Sequence, residues 1–506
     1  MIAPAQVSAS LGAWLVATTA AMVLAAMFLI TVDLPLTWAV LMLLAALGFA
    51  CIAWSGNPRD SLLSIFLLTL PVEISKALTS EGSAYSPTLS VYLYDLAFIP
   101  LTGFWLLDRL VGVPRARRSR LHTVAAAFLV WMAISAATSI ASVSWSIFLN
   151  FLKYFTYLLV IGDLTRDPRR LRIAIYSLAA GLALQLGMVV LQVVTGSDLQ
   201  IRGSKNTDLG RLLVFEQGGG LHVRRPSGFL AHPNVFSDYL TFALPPLMAL
   251  ALLGPAKLRR AWWPIVLLLV GSLVALVLAL SRGGWIAFAA SALFVLAVGW
   301  LRGLVQARHI AALAVCGMLG AAILPVAFPA AIYRVTLSDQ RSSDARLAMI
   351  DQALLIIRRF PITGVGLAGY NKAAQTNIPT SFASLLPAFR ETLLKGVVHN
   401  KYLLTFAESG IIGIALFIAM LLVYITMPLK YDMSINQEYW AFLLGLSGAG
   451  VAQVVFYLFD HFSYDIRLGL FYTMAALMIG VCDQLERARE AACAYSTSTP
   501  TTSTTR

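Results

Sequence analysis

Long apolar stretches separated by short polar joints run along almost the whole chain. They fall near residues 11–31, 36–54, 61–78, 89–107, 122–141, 145–162, 173–195 and 235–254, then near 263–280, 284–301, 310–329, 402–424, 438–459 and 467–482. Most match the roughly 20 residues that a helix needs to cross a bilayer. Hydrocarbon offers the backbone no hydrogen-bonding partner, so an open chain crosses it only as helix. The pattern therefore predicts an all-α integral membrane protein, a polytopic helical bundle of about 12–14 transmembrane helices. Leu11–Thr31 reads as a retained first span, because no Lys or Arg precedes it as in a signal peptide.

Two longer connections divide the chain into N-terminal helices (1–195), a first long loop (196–234), central helices (235–329), a second long loop (330–401), C-terminal helices (402–483) and a tail (484–506). The second loop is expected to be partly helical. Over Asp344–Phe360, Leu347, Ile350, Leu354 and Ile357 share one face while Asp351 and Arg358 lie off it, so this helix should rest on the membrane surface or the bundle. Pro361-Ile-Thr-Gly-Val-Gly-Leu-Ala-Gly369 then stops it. The tail ends in a Ser/Thr/Pro run, Ser496–Thr505, and is expected to be disordered.

Composition excludes the soluble alternative: 12% of the 506 residues are charged and 59% hydrophobic, against about 25% charged in ordinary soluble domains. A net charge of +13 without a soluble basic domain speaks for loop topology, with no nucleic-acid partner. Arg115, Arg117, Arg118 and Arg120 crowd one joint, Arg166, Arg169, Arg170 and Arg172 a second, Lys257, Arg259 and Arg260 a third, and Arg302 and Arg308 a fourth. All four fall on one side, which the positive-inside rule makes cytoplasmic. Both termini then lie in the cytoplasm, and both long loops face outward from an inner membrane. The four cysteines, Cys51, Cys316, Cys482 and Cys493, form no disulfide or zinc spacing.

Chemistry concentrates on the outer side. Both long loops are basic despite facing outward, which suits either an anionic ligand such as a diphosphate or contact with lipid headgroups. Arg282 stands in the tight turn Leu280-Ser-Arg-Gly-Gly-Trp285, where a guanidinium beside hydrocarbon points to function, snorkelling to the headgroups being the alternative. The adjacent glycines would let a ligand approach the backbone. Arg225-Pro-Ser-Gly-Phe-Leu-Ala-His-Pro-Asn234 leads into a span: Arg225 suits an anion, and His232 and Asn234 suit a sugar or a helix cap. His399-Asn400-Lys401 begins another span, with His399 placed either as a general base or as an interfacial histidine bonded to a carbonyl. Asp460, His461 and Asp465 lie between the last two spans. No phosphate-binding loop, nucleophile elbow, metal-ligand spacing or Asp-x-Asp pair occurs, so an enzyme here is expected to use no metal and no cofactor.

These pieces in this order resemble the O-antigen ligase and polymerase superfamily of bacterial membrane glycosyltransferases. The resemblance rests on Arg225-Pro-Ser-Gly…His232-Pro-Asn234, Ser281-Arg-Gly-Gly-Trp285, Arg346…Pro361-Ile-Thr-Gly-Val-Gly366 and Val398-His-Asn-Lys-Tyr-Leu-Leu…Glu408-Ser-Gly-Ile-Ile-Gly413, and is best over about 215–425. It implies a GT-C-like helical fold in the bacterial inner membrane and an active site facing the periplasm. It further implies transfer of a glycan from an undecaprenyl-diphosphate donor to an acceptor saccharide, with inversion. The acceptor is a lipid A-core sugar for a ligase or a lipid-linked repeat for a polymerase of O-antigen or exopolysaccharide. On this resemblance Arg225, Arg282 and Arg346 would bind the diphosphate and His399 would deprotonate, or at least orient, the acceptor hydroxyl, with His232, Asn234 and Asn400 around them. A transporter or flippase of the same lipid-linked saccharide is the rival from another class. It would need a polar path through the bundle, for which Glu73, Lys76 and Asp95 are the main candidates.

Overall fold

The computed structural model describes residues 57–78, 89–113, 117–197, 213–217, 221–255, 259–307, 328, 340–384, 394, 396–461 and 466–498. The spans expected near 11–31, 36–54 and 310–329 lie outside the described residues. Within them the chain is helical, with two small antiparallel hairpins. The helices are α1 (Pro58–Thr69), α2 (Asp95–Leu110), α3 (Arg120–Ala137), α4 (Ser144–Leu164), α5 (Pro168–Thr195), α6 (Pro233–Leu253), α7 (Arg259–Leu278) and α8 (Arg282–Leu301). They continue with α9 (Gln340–Arg359), α10 (Tyr370–Thr376), α11 (Lys401–Thr426), α12 (Gln437–Phe456) and α13 (Ile466–Ser498). Eight of those described are long and apolar enough to cross a membrane, and Trp262–Leu278 within α7 is a shorter apolar helix. The protein is thus an all-α polytopic membrane protein.

Two expected spans are broken. α1 stops at Thr69, where Pro71 follows, and the stretch read as the rest of span 61–78 turns extended as β1 (Ser75–Ala77). β1 pairs with β2 (Ser90–Tyr92), so span 89–107 begins as strand and becomes helix only at Asp95. Glu73 Oε2 accepts the Ala231 amide at 2.8 Å. Asp95 forms a buried ion pair with Lys153, 2.9 Å away on α4, and accepts the Tyr157 hydroxyl. At the other end, α13 continues as helix through Ser498, so the segment from 484 that was expected to be disordered is helical that far.

α12 packs against α6 and α8, α13 against α4, and α11 against α3. The helices alternate in direction, which sorts the joints to two ends of the bundle. One end carries the basic clusters, tied down by ion pairs: Arg59 to Asp108 at 2.8 Å, Arg109 to Asp163 at 2.7 Å, Arg170 to Asp60 at 2.9 Å and Arg166 to Asp483 at 3.1 Å. The other end gathers the starts of α6, α8, α11 and α13 with the end of α12, held where the Lys401 amide donates to the Tyr457 carbonyl at 2.8 Å. That second end carries the candidate site residues.

α9 docks on α11 with only half of the expected stripe turned inward. Ile357 is buried and Ile350 packs beside it, joined by Ala345, Ala348, Met349, Ala353 and Ile356, whereas Leu347 is 62% and Leu354 37% exposed. Small side chains allow close helix approach, so they take the packed side and leave the large leucines outward. The Pro361–Gly369 turn then inserts into a break in α11. Gly410 has φ 67° and ψ −169°, a conformation that breaks the helical hydrogen-bond ladder and that glycine adopts without steric cost. The carbonyls freed there are taken up by the turn: the Val365 amide donates to Ala407 and the Gly366 amide to Glu408, both at 2.9 Å. Non-helical backbone inside a membrane bundle is tolerated when protein satisfies it in this way.

Candidate active site

Arg225 ends β4 (Leu221–Arg225), which pairs with β3 (Leu213–Gln217) in the first long loop. The following loop is clamped from α5: the Gln192 side chain accepts the Ser227 and Gly228 amides at 3.1 and 3.0 Å, and Gln185 accepts the Phe229 amide at 2.9 Å. Two glutamines buried in an apolar helix are justified by this work, since each satisfies backbone that would otherwise be orphaned. Arg225 is itself buried. Its Nε donates to the Ala279 carbonyl at 2.8 Å and its Nη2 to Asn234 Oδ1 at 2.9 Å. One guanidinium therefore joins the first loop, the start of α6 and the turn that carries Arg282. Asn234 is a partner of Arg225, and His232 is the N-cap of α6, its Nδ1 accepting the Asn234 amide at 3.0 Å.

The turn into α8 is strained. Leu280, fully buried, has φ 50°, unusual for a branched side chain, and Trp285 pins the turn by donating from Nε1 to the Leu276 carbonyl at 2.9 Å. The glycines after Arg282 serve protein packing. A side chain at Gly284 would meet Ser237 Oγ on α6 at 1.8 Å, and Gly283 faces Phe459. Arg282 and Arg346 make no hydrogen bond or ion pair among the described residues. Burial holds the Arg346 guanidinium below the usual arginine range, opposed by Asp460 and reinforced by Arg282. The two cations thus share one electrostatic neighbourhood with Asp460.

His399 precedes α11, which Asn400 caps by accepting the Leu403 amide at 3.0 Å. The His399 side chain is 41% exposed. Its Nδ1 lies 3.2 Å from His461 Nδ1 and 3.6 Å from Asp460 Oδ1. Nδ1 is thereby occupied, and Nε2 is the nitrogen left for a substrate. Asp460 is gripped from its other oxygen by Arg467, at 3.4 Å, which also donates to the His461 carbonyl at 3.0 Å. Burial disfavours the Asp460 carboxylate, but the His399 side chain and the charges of Arg467 and His461 outweigh it and hold the acid well below its usual range. Burial also depresses His232, to about 4, helped by Arg225, Arg467 and His399 and opposed by Asp460. The groups from four separate segments act on one another.

Sequence reading singled out Arg225, Arg282, Arg346 and His399 and left Asp460 and His461 open. It missed Arg467, an arginine at the start of an apolar span, which is the signal by which it was findable. His399, Asp460 and His461 place ligand atoms within 4.8 Å of one another. A metal ion there would share the Asp460 carboxylate with Arg467 and sit near Arg346, an electrostatically poor position for a cation.

Fold and site together define a polytopic helical membrane protein with a cationic cluster and a carboxylate-braced histidine at one end of its bundle. Residues 265–418, from α7 into α11, match the family model described as O-antigen ligase. The matched segment holds Arg282, Arg346 and His399; Arg225, Asp460, His461 and Arg467 flank it. The family match supports a function of the O-antigen ligase or polymerase type. No curated protein compared with the chain matches it.

Proposed function

We propose that the protein is a membrane glycosyltransferase that moves a glycan from an undecaprenyl-diphosphate donor to an acceptor saccharide at the periplasmic face of the bacterial inner membrane. The observation that carries this reading is the grouping of two guanidiniums, Arg282 and Arg346, without partners among the described residues, with a histidine whose Nδ1 is held by Asp460 and His461. The donor leaves as a lipid diphosphate, so stabilising its developing negative charge is what the reaction most requires. Arg282 and Arg346 supply that charge. Arg225 adds to the field and fixes the turn bearing Arg282. His399 Nε2 takes the acceptor hydroxyl proton as the new bond forms at the anomeric carbon and the bond to the diphosphate oxygen breaks on the opposite side, which inverts that centre. General-base help of this kind contributes about 10²–10⁴-fold.

Ligase and polymerase differ only in acceptor. The decisive assay uses purified protein, undecaprenyl-diphosphate glycan and either lipid A-core or a second lipid-linked repeat. Transfer by the wild type and its loss in Arg282→Ala and His399→Ala is expected, and undiminished transfer by both variants would sink the mechanism. A reporter fused after His399 should read outside the cytoplasm. Movement of intact donor across vesicles without transfer would favour a flippase instead.

A further inference from the structure

The end of the bundle remote from His399 holds a second built feature. Helix α11 begins beside His399 and runs 26 residues to Thr426, roughly 35–40 Å at the helical rise. Near its far end a cavity of about 620 Å³ opens between α3, α11 and α13. It is bordered by Arg117, Arg118, Arg120 and Lys430 and by the acids Asp483 and Glu486, and Val423, Met427, Ile479 and Cys482 give it an apolar part. On the other face of α3 a cavity of about 500 Å³ is lined by Trp105, Phe155 and Leu159, and Arg118 borders both.

The acids around these cavities already have cations. Asp483 lies 3.1 Å from Arg166 and 2.7 Å from Arg487, Glu486 is 3.5 Å from Lys430, and Asp163 is 2.7 Å from Arg109. Arg117 pairs with Glu490 at 2.7 Å. Arg118 and Arg120 are exposed and make no hydrogen bond or ion pair among the described residues. Arg118 thus borders two partly apolar cavities and Arg120 the first of them, both without a partner among the described residues.

We infer that this is a binding site for an anionic diacyl phospholipid, its phosphate held by Arg118 and Arg120 and its two acyl chains lying in the grooves on either side of α3. Charge selects an anionic headgroup, and basic pockets between membrane helices are where such headgroups bind. The paired apolar grooves select a two-chain lipid over free phosphate. The site is separate from the proposed active site and does not depend on that reading.

The test is native mass spectrometry of the purified, delipidated full chain titrated with dioleoyl phosphatidylglycerol, dioleoyl phosphatidylcholine or inorganic phosphate. Phosphatidylglycerol should bind more tightly than phosphatidylcholine. Arg118→Gln combined with Arg120→Gln should weaken it roughly tenfold to thirtyfold, whereas Lys at both positions should retain most binding. Leu159→Trp, which fills one groove without altering charge, should weaken it as well. Equal affinity for the two lipids, or unchanged phosphatidylglycerol binding in the double Gln variant, would overturn the inference. So would displacement of the lipid by an equal concentration of inorganic phosphate.

Discussion

His399 and His461 face each other through their Nδ1 atoms, 3.2 Å apart. Two imidazole nitrogens at that distance form a hydrogen bond only when one of them carries a proton and the other does not. The tautomers of the two rings are therefore linked, and each Nδ1 also lies 3.6 Å from Asp460 Oδ1. If His461 sets the His399 tautomer, His461→Ala should lower kcat about tenfold to a hundredfold with little change in KM for the donor. His461→Asn, which keeps a donor and an acceptor, should recover part of it. The same assays in excess chelator should proceed at the wild-type rate, and loss on chelation would assign the cluster to a metal.

Asp460 and Arg467 form the ion pair behind that histidine pair, the Arg467 side chain being 7% exposed. Removing one partner of a buried pair strands the other charge, commonly at a cost of about 3–5 kcal/mol, while removing both costs less. Asp460→Asn and Arg467→Gln should each lower thermal stability more than the double variant does, a coupling that unfolding in detergent measures directly. Activity should behave differently: the double variant should stay impaired, because His399 has lost the carboxylate that orients it.

The membrane class, the two long loops and four cationic or titratable residues of the candidate site were legible because each leaves a local trace. Apolar runs mark spans, and a charged residue at a span boundary is costly enough to stand out. What was hidden depends on tertiary partners. Nothing local in Leu-Ser-Arg-Gly-Gly-Trp reveals that Gly284 meets Ser237, or that Arg225 reaches the Ala279 carbonyl. Half of the α9 stripe, Leu347 and Leu354, misled for a related reason. Large apolar residues at helical spacing look like a core face, yet beside a membrane they also suit an exposed one, and the alanines took the packed side. Span 61–78 was misread because an apolar stretch followed by extended backbone has the same hydropathy as a helix.

His232 gives a pH signature. It is neutral in the fold, with a value near 4 against an ordinary 6.5, because burial and then Arg225 disfavour its charged form. Between those two values the unfolded chain binds a proton that the folded chain does not. Stability contributed by His232 is thus complete above about pH 6.5 and declines as pH falls toward 4, by roughly 1–3 kcal/mol. His232→Asn retains a capping side chain without titrating. The wild type should lose more stability than this variant between pH 7 and pH 4.5 in thermal unfolding, and parallel curves would remove His232 as the source.

Gly284 and Ser237 offer a test of how Arg282 is held. Helix α8 approaches α6 so closely that a Cβ at Gly284 would stand 1.8 Å from Ser237 Oγ and 3.2 Å from Ser237 Cβ. Gly284→Ala should therefore push α8 away from α6 and displace Arg282 two residues earlier, costing about 1–3 kcal/mol of stability and most of the transferase activity. Ser237 Oγ is buried without a hydrogen-bond partner among the described residues, so deleting it is cheap. Ser237→Ala alone should leave stability and activity near wild type. Combined with Gly284→Ala it removes the 1.8 Å conflict and leaves 3.2 Å contacts with Ser237 Cβ and Leu276 Cδ1, so the pair should recover most of both properties. Recovery of folding without recovery of activity would show that Gly284 itself, and not the spacing of α8 from α6, is what the reaction requires.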